Sequence, residues 1–310
     1  MSEIDLDATV PAKVSSILQN VFPGGVVVTS CTPLSGGLTN MNYRVSTDIG
    51  DFVVRVFTEE GSLLSIDRER EYQNSKAAYQ SGAGVEVLGR SLEPMGLVVR
   101  YQDGKTLCPS DLHNYEVLAK VVDSCKLLHS GPTFVGRFDM FEVQRQYLKI
   151  VQQRGFRLPT SYLSHADQVS LLEKVMKSKE ENLVPCNNDL LAENFIDDGE
   201  RIWIIDYEYS GNNEPSFELG NIWSESNLDA DALDELVRLY WGPRASRAKV
   251  ARARAWGVMS KYGWTLWASI QDAVAEIDFD FWQWGMEKYL RAEEELKDPS
   301  FQALLQDLYE

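Results

Sequence analysis

The chain has 310 residues, 44% hydrophobic and 11% aromatic, which supplies a large core and excludes disorder as its dominant state. Its 30 Lys and Arg against 47 Asp and Glu leave a formal charge of −17. That balance argues against a nucleic-acid partner, whose phosphates call for clustered Lys and Arg, and favours the approach of a cation.

In chain order, apolar spacing predicts a helix over 10–21, closed by Pro23-Gly24-Gly25, then a strand over 26–34 and the turn Ser35-Gly36-Gly37. Two strands, 38–46 and 51–57, are joined by Thr47-Asp48-Ile49-Gly50, a hairpin signal. A charged helix over 67–80 stops at Ser81-Gly82, and short strands follow at 85–90 and 96–101. Beyond Tyr101-Gln102-Asp103-Gly104 the composition turns helical, with helices over 114–129, 140–153 and 164–179. Residues 184–209 interrupt this with a loop, a short strand, an Asp-Gly turn and the apolar strand Ile202-Trp203-Ile204-Ile205; from Ser216 the chain is mostly helical and rich in Trp and Tyr. The one basic cluster, Arg244 to Arg254, reads as a helix face with Ala245, Ala251, Ala253 and Ala255. The pattern is α+β: a small β-rich lobe over 1–103, a hinge near 101–106 and a larger, mostly helical lobe over 104–310.

Cys31, Cys108, Cys125 and Cys186 are scattered, and His113, His129 and His165 form no zinc-type spacing with them. The first ten residues are acidic without an apolar run, and no window approaches 18 apolar residues, so the expectation is a soluble, cytoplasmic protein without membrane insertion.

The chemistry concentrates in Asn187-Asn188-Asp189-Leu190-Leu191-Ala192-Glu193-Asn194, with Asp206 twelve positions on from Asn194 at the end of an apolar strand. Phosphoryl transfer by kinases needs an Asp to take the hydroxyl proton, an Asn five residues later for Mg²⁺ and a second Asp after a strand for the metals. Asp and Asn are also ordinary loop residues, so either piece alone is a weak signal. Both in this order, downstream of a hairpin lobe, point to a kinase.

On these residues the chain resembles the choline/ethanolamine kinase family, within the aminoglycoside phosphotransferase-like small-molecule kinases. The likeness runs over nearly the whole chain, in LSGGLTNMNYRV, FVVRVF, IDRERE, CNNDLLAEN, IDYEYSGNNEPSFELGNIWSE and WTLWASIQ. It implies a two-lobed, protein-kinase-like fold, ATP as co-substrate and Mg²⁺. Asp189 then matches the catalytic base, Asn194 and Asp206 match the Mg²⁺ ligands, and Glu208 matches an auxiliary acid near the metals. Ser35, Gly36, Gly37, Thr39 and Asn40 match the loop over the nucleotide, where glycines let backbone N–H groups approach phosphates. Arg55 stands where kinases place the basic residue on the third strand, paired with a helix Glu, here Glu71 with Glu69 as runner-up. Strand alternation leaves open whether Arg55 faces the nucleotide or the surface. The family usually has His where Asn187 stands; Asn also offers a donor and an acceptor for bracing the loop.

For the substrate, the resemblance implies a small cationic amino alcohol, choline or ethanolamine, walled by Trp264, Trp267 and Trp284, with Glu225 as the acid. Aromatic faces attract a quaternary ammonium, although Trp at helical spacing is often core packing. The alternatives are a kinase for another cationic hydroxyl compound (an aminoglycoside or thiamine) and a non-catalytic kinase-like binding module. The family is often dimeric; the residues themselves carry no interface signal, so a homodimer rests on the resemblance alone.

Overall fold

The computed structural model describes residues 10–34, 37, 39–57, 63, 64 and 66–309. Alternation along the expected hairpin is realised as β2 (Met41–Thr47) and β3 (Gly50–Val56), paired from Met41 opposite Val56 to Thr47 opposite Gly50. With β1 (Val28–Leu34), β4 (Val87–Leu92) and β5 (Met95–Arg100) they form an antiparallel sheet in the order β1-β2-β3-β5-β4. Phe52, Val54 and Val56 point to one face, where they pack with Val14, Ile17 and Leu18 of α1 (Ala12–Val21). The period of two therefore sends Val53 and Arg55 to the opposite face, into the cleft between the lobes. That settles the orientation left open by the sequence. Helix α2 (Arg68–Ser81) starts at Asp67, whose carboxylate accepts the N–H groups of Glu69 and Arg70, and ends at Gly82 with φ 85°.

The second lobe holds α3 (Tyr115–His129), α4 (Met140–Arg154), α5 (Ala166–Ser178), α6 (Pro215–Glu225), α7 (Ala230–Trp241), α8 (Arg247–Val274), α9 (Phe281–Lys297) and α10 (Phe301–Asp307). Helix α8 is its spine, packed by α4, α6 and α9 and buried without a break from Ala255 to Gln271. Gly220 lets α6 approach it closely: a Cβ there would collide with the Ala253 carbonyl oxygen. Among the described residues no helix is long and apolar enough to cross a membrane.

Two short sheets sit under the cleft. One joins β6 (Lys105–Thr106), β8 (Phe195–Asp197) and β9 (Ile202–Ile204); the other pairs β7 (Val184–Cys186) with β10 (Gly211–Asn213). Strands β6 and β10 are too short for any periodicity to reveal them.

The Arg244–Arg254 cluster departs from expectation. Arg244 and Ala245 precede α8, and the arginines within it go to different partners. Arg247 pairs with Asp307 at 2.9 Å, Arg254 with Glu295 at 2.6 Å, and buried Arg252 grips both oxygens of Glu214 at 2.5 and 2.6 Å. Composition identified the charges but not the carboxylates that divide them.

Candidate active site

Strand β7 delivers the chain into the loop 187–190, where the backbone takes costly conformations. Asn188 has φ 70° and Asp206 has φ 62°, a region that Asn and Asp tolerate better than most residues. The surroundings hold them there. Three successive loop N–H groups donate to side chains: Asn188 to Glu218 Oε1 at 2.7 Å, Asp189 to Asn187 Oδ1 at 3.0 Å and Leu190 to Asn221 Oδ1 at 2.6 Å. The Asn188 amide nitrogen donates to the carbonyls of Cys186, Tyr209 and Gly211. Glu218, Asn221 and Glu225 recur at helical spacing on one face of α6. Beneath the loop, Glu218 also meets His129 Nε2 at 3.3 Å, and His129 Nδ1 meets the Tyr240 hydroxyl at 2.8 Å.

Asn187 joins the two acidic segments. Its Nδ2 donates to the carbonyls of Ile205 (3.1 Å) and Asp206 (2.8 Å), while its Oδ1 accepts the Asp189 N–H. Both capacities of the amide are used in bracing. Asn194 adds a second tie, with Nδ2 donating to the Asp189 carbonyl at 2.7 Å and its own carbonyl accepting the Ile205 N–H at 3.0 Å. Asp189, Asn194 and Asp206 thus converge. Burial holds the Asp189 carboxyl well above its usual range, reinforced by Asp206, Glu225 and Glu208 and opposed by Lys288.

Arg55 enters this cluster from β3, with Nη2 2.9 Å from Asp206 Oδ1 and Nη1 3.4 Å from Glu71 Oε1. Burial alone would lower its pKa, but Asp206, Glu71 and Glu208 together raise it, so the guanidinium stays charged. Glu71 is buried, whereas Glu69 is largely exposed and pairs with Arg90. Glu208 faces the covering loop: it accepts from Thr39 Oγ1 and Asn40 Nδ2, both at 3.0 Å. Arg68, absent from the expected site, knits these groups by reaching Glu71 (2.7 Å), Glu208 (3.2 Å) and Asn40 Oδ1 (2.9 Å). Its signal was the Ile66-x-Arg68-x-x-Glu71 spacing. Ser35 and Gly36 lie outside the described residues; Gly37 lines the cleft, and a Cβ on it would come within 2.6 Å of the Asn40 carbonyl oxygen.

The cleft encloses about 310 Å³ between the lobes. Val53, Val85, Leu97, Val99 and Ile196 contribute apolar walls, the hinge residues Tyr101, Gln102 and Gly104 border it, and Arg55, Asn194 and Asp206 bring charge and polarity. The form suits a flat apolar base continued by an anionic chain. Asn194 Oδ1 accepts no hydrogen bond among the described residues, and the buried Asp206 Oδ1 faces the Arg55 guanidinium at 2.9 Å. These are hard oxygen donors of the kind Mg²⁺ takes. Glu208 is already engaged by Thr39, Asn40 and Arg68, so it is the less available of the three acids and amides expected at the metal.

Away from the cleft between the lobes, an aromatic wall forms around Tyr209, which sequence reasoning had not singled out. The Trp267 indole N–H donates to the Tyr209 hydroxyl at 2.8 Å, and Trp264 meets its ring edge-on at 4.9 Å. Trp284 packs on Trp267 at 5.4 Å, and the Lys288 ammonium lies 4.0 Å from the Trp284 ring centre. Lys288, also unforeseen, is buried and ion-paired to Glu225 Oε2, while Glu225 Oε1 is buried without a hydrogen-bond partner among the described residues. Lys288 sits one turn after Trp284 on α9, a spacing visible in the sequence; its partner on α6 was not. One contact chain therefore links Trp264, Tyr209, Trp267, Trp284, Lys288 and Glu225, and Glu225 and Lys288 both act on Asp189.

Residues 31–235 match the choline/ethanolamine kinase family. A choline/ethanolamine kinase family protein from Mesorhizobium loti is similar in structure, with a TM-score of 0.81 and 30% identity, over 96% of this chain and 97% of that one. Protein LicA of Haemophilus influenzae is 30% identical over 209 residues, covering 66% of this chain and 61% of LicA, so the likeness spans less than two thirds of that relative. Ethanolamine kinase 2 of Mus musculus is 26% identical over 286 residues, 82% of this chain and 72% of that protein. The two-lobed architecture, the converging acids of the cleft and these likenesses agree: the chain belongs to the choline/ethanolamine kinase family.

Proposed function

We propose that this protein transfers the γ-phosphoryl of ATP to the hydroxyl of a small amino alcohol, choline first and ethanolamine second. The observation that carries this reading is the position of Asp189, which feels Asp206 from the nucleotide side and Glu225 from the aromatic side. A hydroxyl on a short cationic molecule, its ammonium near Glu225 and the tryptophans, would reach Asp189. The carboxylate orients that hydroxyl and takes its proton as the phosphoryl passes in line. A raised pKa suits a carboxylate to act as base near neutral pH.

Arg55, held by Glu71, meets the phosphates, and the loop of Ser35, Gly36, Gly37, Thr39 and Asn40 covers them. Asn194 and Asp206 would hold Mg²⁺, which supplies charge neutralisation at the transferred group, with Glu208 tying the covering loop to the site. Catalysis is then positioning and electrostatics more than covalent work. The lobes divide near 103/104, so the hinge beside Tyr101 and Gly104 also borders the base. Lys288 holds one oxygen of Glu225 and leaves the other to the substrate cation. That makes it a positioning residue of the amine subsite, with Trp264, Trp267 and Trp284 as the walls.

The test is a panel of hydroxylated amines with Mg·ATP, read by coupled ADP release and by mass of the phosphorylated product. Choline or ethanolamine is expected to be turned over ahead of aminoglycosides and thiamine. ADP release that no amine on the panel stimulates would remove the reading.

A further inference from the structure

A second cavity, of about 730 Å³, opens where the end of α6 meets α8 and α9. Its lining includes Ser224 and Glu287, the chain neighbours of Glu225 and Lys288, so it lies beside the amine subsite without sharing the nucleotide cleft. Lys261, on α8, is only 4% exposed, yet its ammonium makes no hydrogen bond or ion pair among the described residues. Its recorded neighbour is the Trp223 ring, 4.5 Å away. Among the described residues, Arg291 on the same lining hydrogen-bonds only backbone carbonyls, those of Ser224 at 3.2 Å and Glu287 at 3.3 Å. Arg254 differs, being matched by Glu295.

A buried ammonium without a direct ion pair is costly, and a second cation beside it that pairs with no carboxylate among the described residues adds to the cost. Burial pulls Lys261 down to about 8, with Glu295 acting the other way and Arg291 adding to the fall. Such a pair is completed by an anion that accepts from an ammonium and a guanidinium together, which a phosphomonoester does well. The remaining carboxylates of the lining, Glu287, Glu294 and Asp298, are exposed and therefore stand at the mouth. The cavity thus has the Lys261 ammonium deep, Arg291 half-buried beside it and three carboxylates exposed. Its volume is that of an ordinary small-molecule site.

We propose that this cavity is a binding site for a small zwitterion carrying a phosphomonoester at one end, held by Lys261 and Arg291, and an ammonium at the other, met by the acidic mouth. This is the chemical class of the product under the proposed function, and naming it as product rests on that reading; the binding itself does not.

Calorimetric titration of the full chain, without nucleotide, tests it with three probes: phosphorylated ethanolamine, inorganic phosphate and ethanolamine. Phosphorylated ethanolamine is expected to bind tightest, phosphate more weakly and ethanolamine weakest. Lys261→Met and Arg291→Gln should each weaken the first two by about tenfold or more. Lys261→Met exchanges an uncompensated buried charge for an apolar side chain of similar length, so its thermal unfolding should lie at or above that of the wild type. Unchanged binding in both variants, or ethanolamine binding as tightly as its phosphate ester, would overturn the site. Phosphate binding as tightly as the ester would overturn the role of the acidic mouth. Failure of the amine panel leaves these titrations interpretable, since none of them requires turnover.

Discussion

The two ends of the proposed reaction site are built on opposite principles. At the proposed phosphate end, three acids (Asp206, Glu208 and Glu71) crowd around Arg55 and Arg68, Asp189 feels the charges of Asp206 and Glu208, and Asn188 and Asp206 sit at positive φ. Hydrogen bonds donated by the Asn187 and Asn188 amides, and those that Glu218 and Asn221 accept from the loop N–H groups, hold that arrangement. At the proposed amine end, among the described residues, Glu225 is ion-paired to Lys288 beside a wall of indoles, and none of Glu225, Trp264, Trp267, Trp284 and Lys288 has a positive φ. The first end spends folding stability on preorganised charge, whereas the second is continuous with the helical core and reads as core until its charges are traced. Loss of charge should therefore abolish chemistry at the first end and weaken binding at the second.

The largest effect is expected for Asp189→Ala and Asp206→Ala. Each should cut turnover by about a thousandfold or more, and Asp189→Ala should do so with little loss of melting temperature, because it relieves burial and like-charge crowding. A variant that keeps wild-type turnover would break the contrast. Next, Glu225→Gln should raise the amine KM about thirtyfold, with the KM for ATP within about twofold, since it removes the buried counter-charge of the cation. A parallel rise in both constants would show that the two ends are not separate. Lys288→Met should raise the amine KM about tenfold, and Lys288→Arg should recover most of it. A lower KM in Lys288→Met would mean instead that the ammonium competes with substrate. The smallest effect is expected for Asn187→His, which keeps a donor and an acceptor at the brace: kcat should stay within about threefold, whereas Asn187→Ala should lose about tenfold.

What the sequence made legible follows the same division. Asp189, Asn194 and Asp206 fall within 18 residues, so local spacing carries the chemistry. Arg55 and Glu71 follow from a strand and the helix after it, and the structure chooses Glu71 over Glu69 by burial. The hairpin at Thr47–Gly50 was legible because a two-residue turn fixes its register. The amine end required three helices far apart in the chain to converge. Tyr209 was quoted as part of a run of acids and aromatics, and Lys288 looked like any solvated charge on a helix. Its ion pair with Glu225 lies 63 positions away, beyond the reach of periodicity. The same limit misread the Arg244–Arg254 cluster as one helix face. Strands β6 and β10 escaped because two or three residues acquire strand geometry only from a distant partner.

The central claim is that Asp189 and Asp206 act on one phosphoryl transfer. Turnover of choline and ethanolamine in Asp189→Ala, Asp206→Ala and the double variant measures it most directly, because residues that act as a unit are strongly non-additive. The account predicts that the double variant is no more than a few-fold slower than the slower single variant. Losses that multiply independently, or appreciable turnover in either single variant, would contradict it.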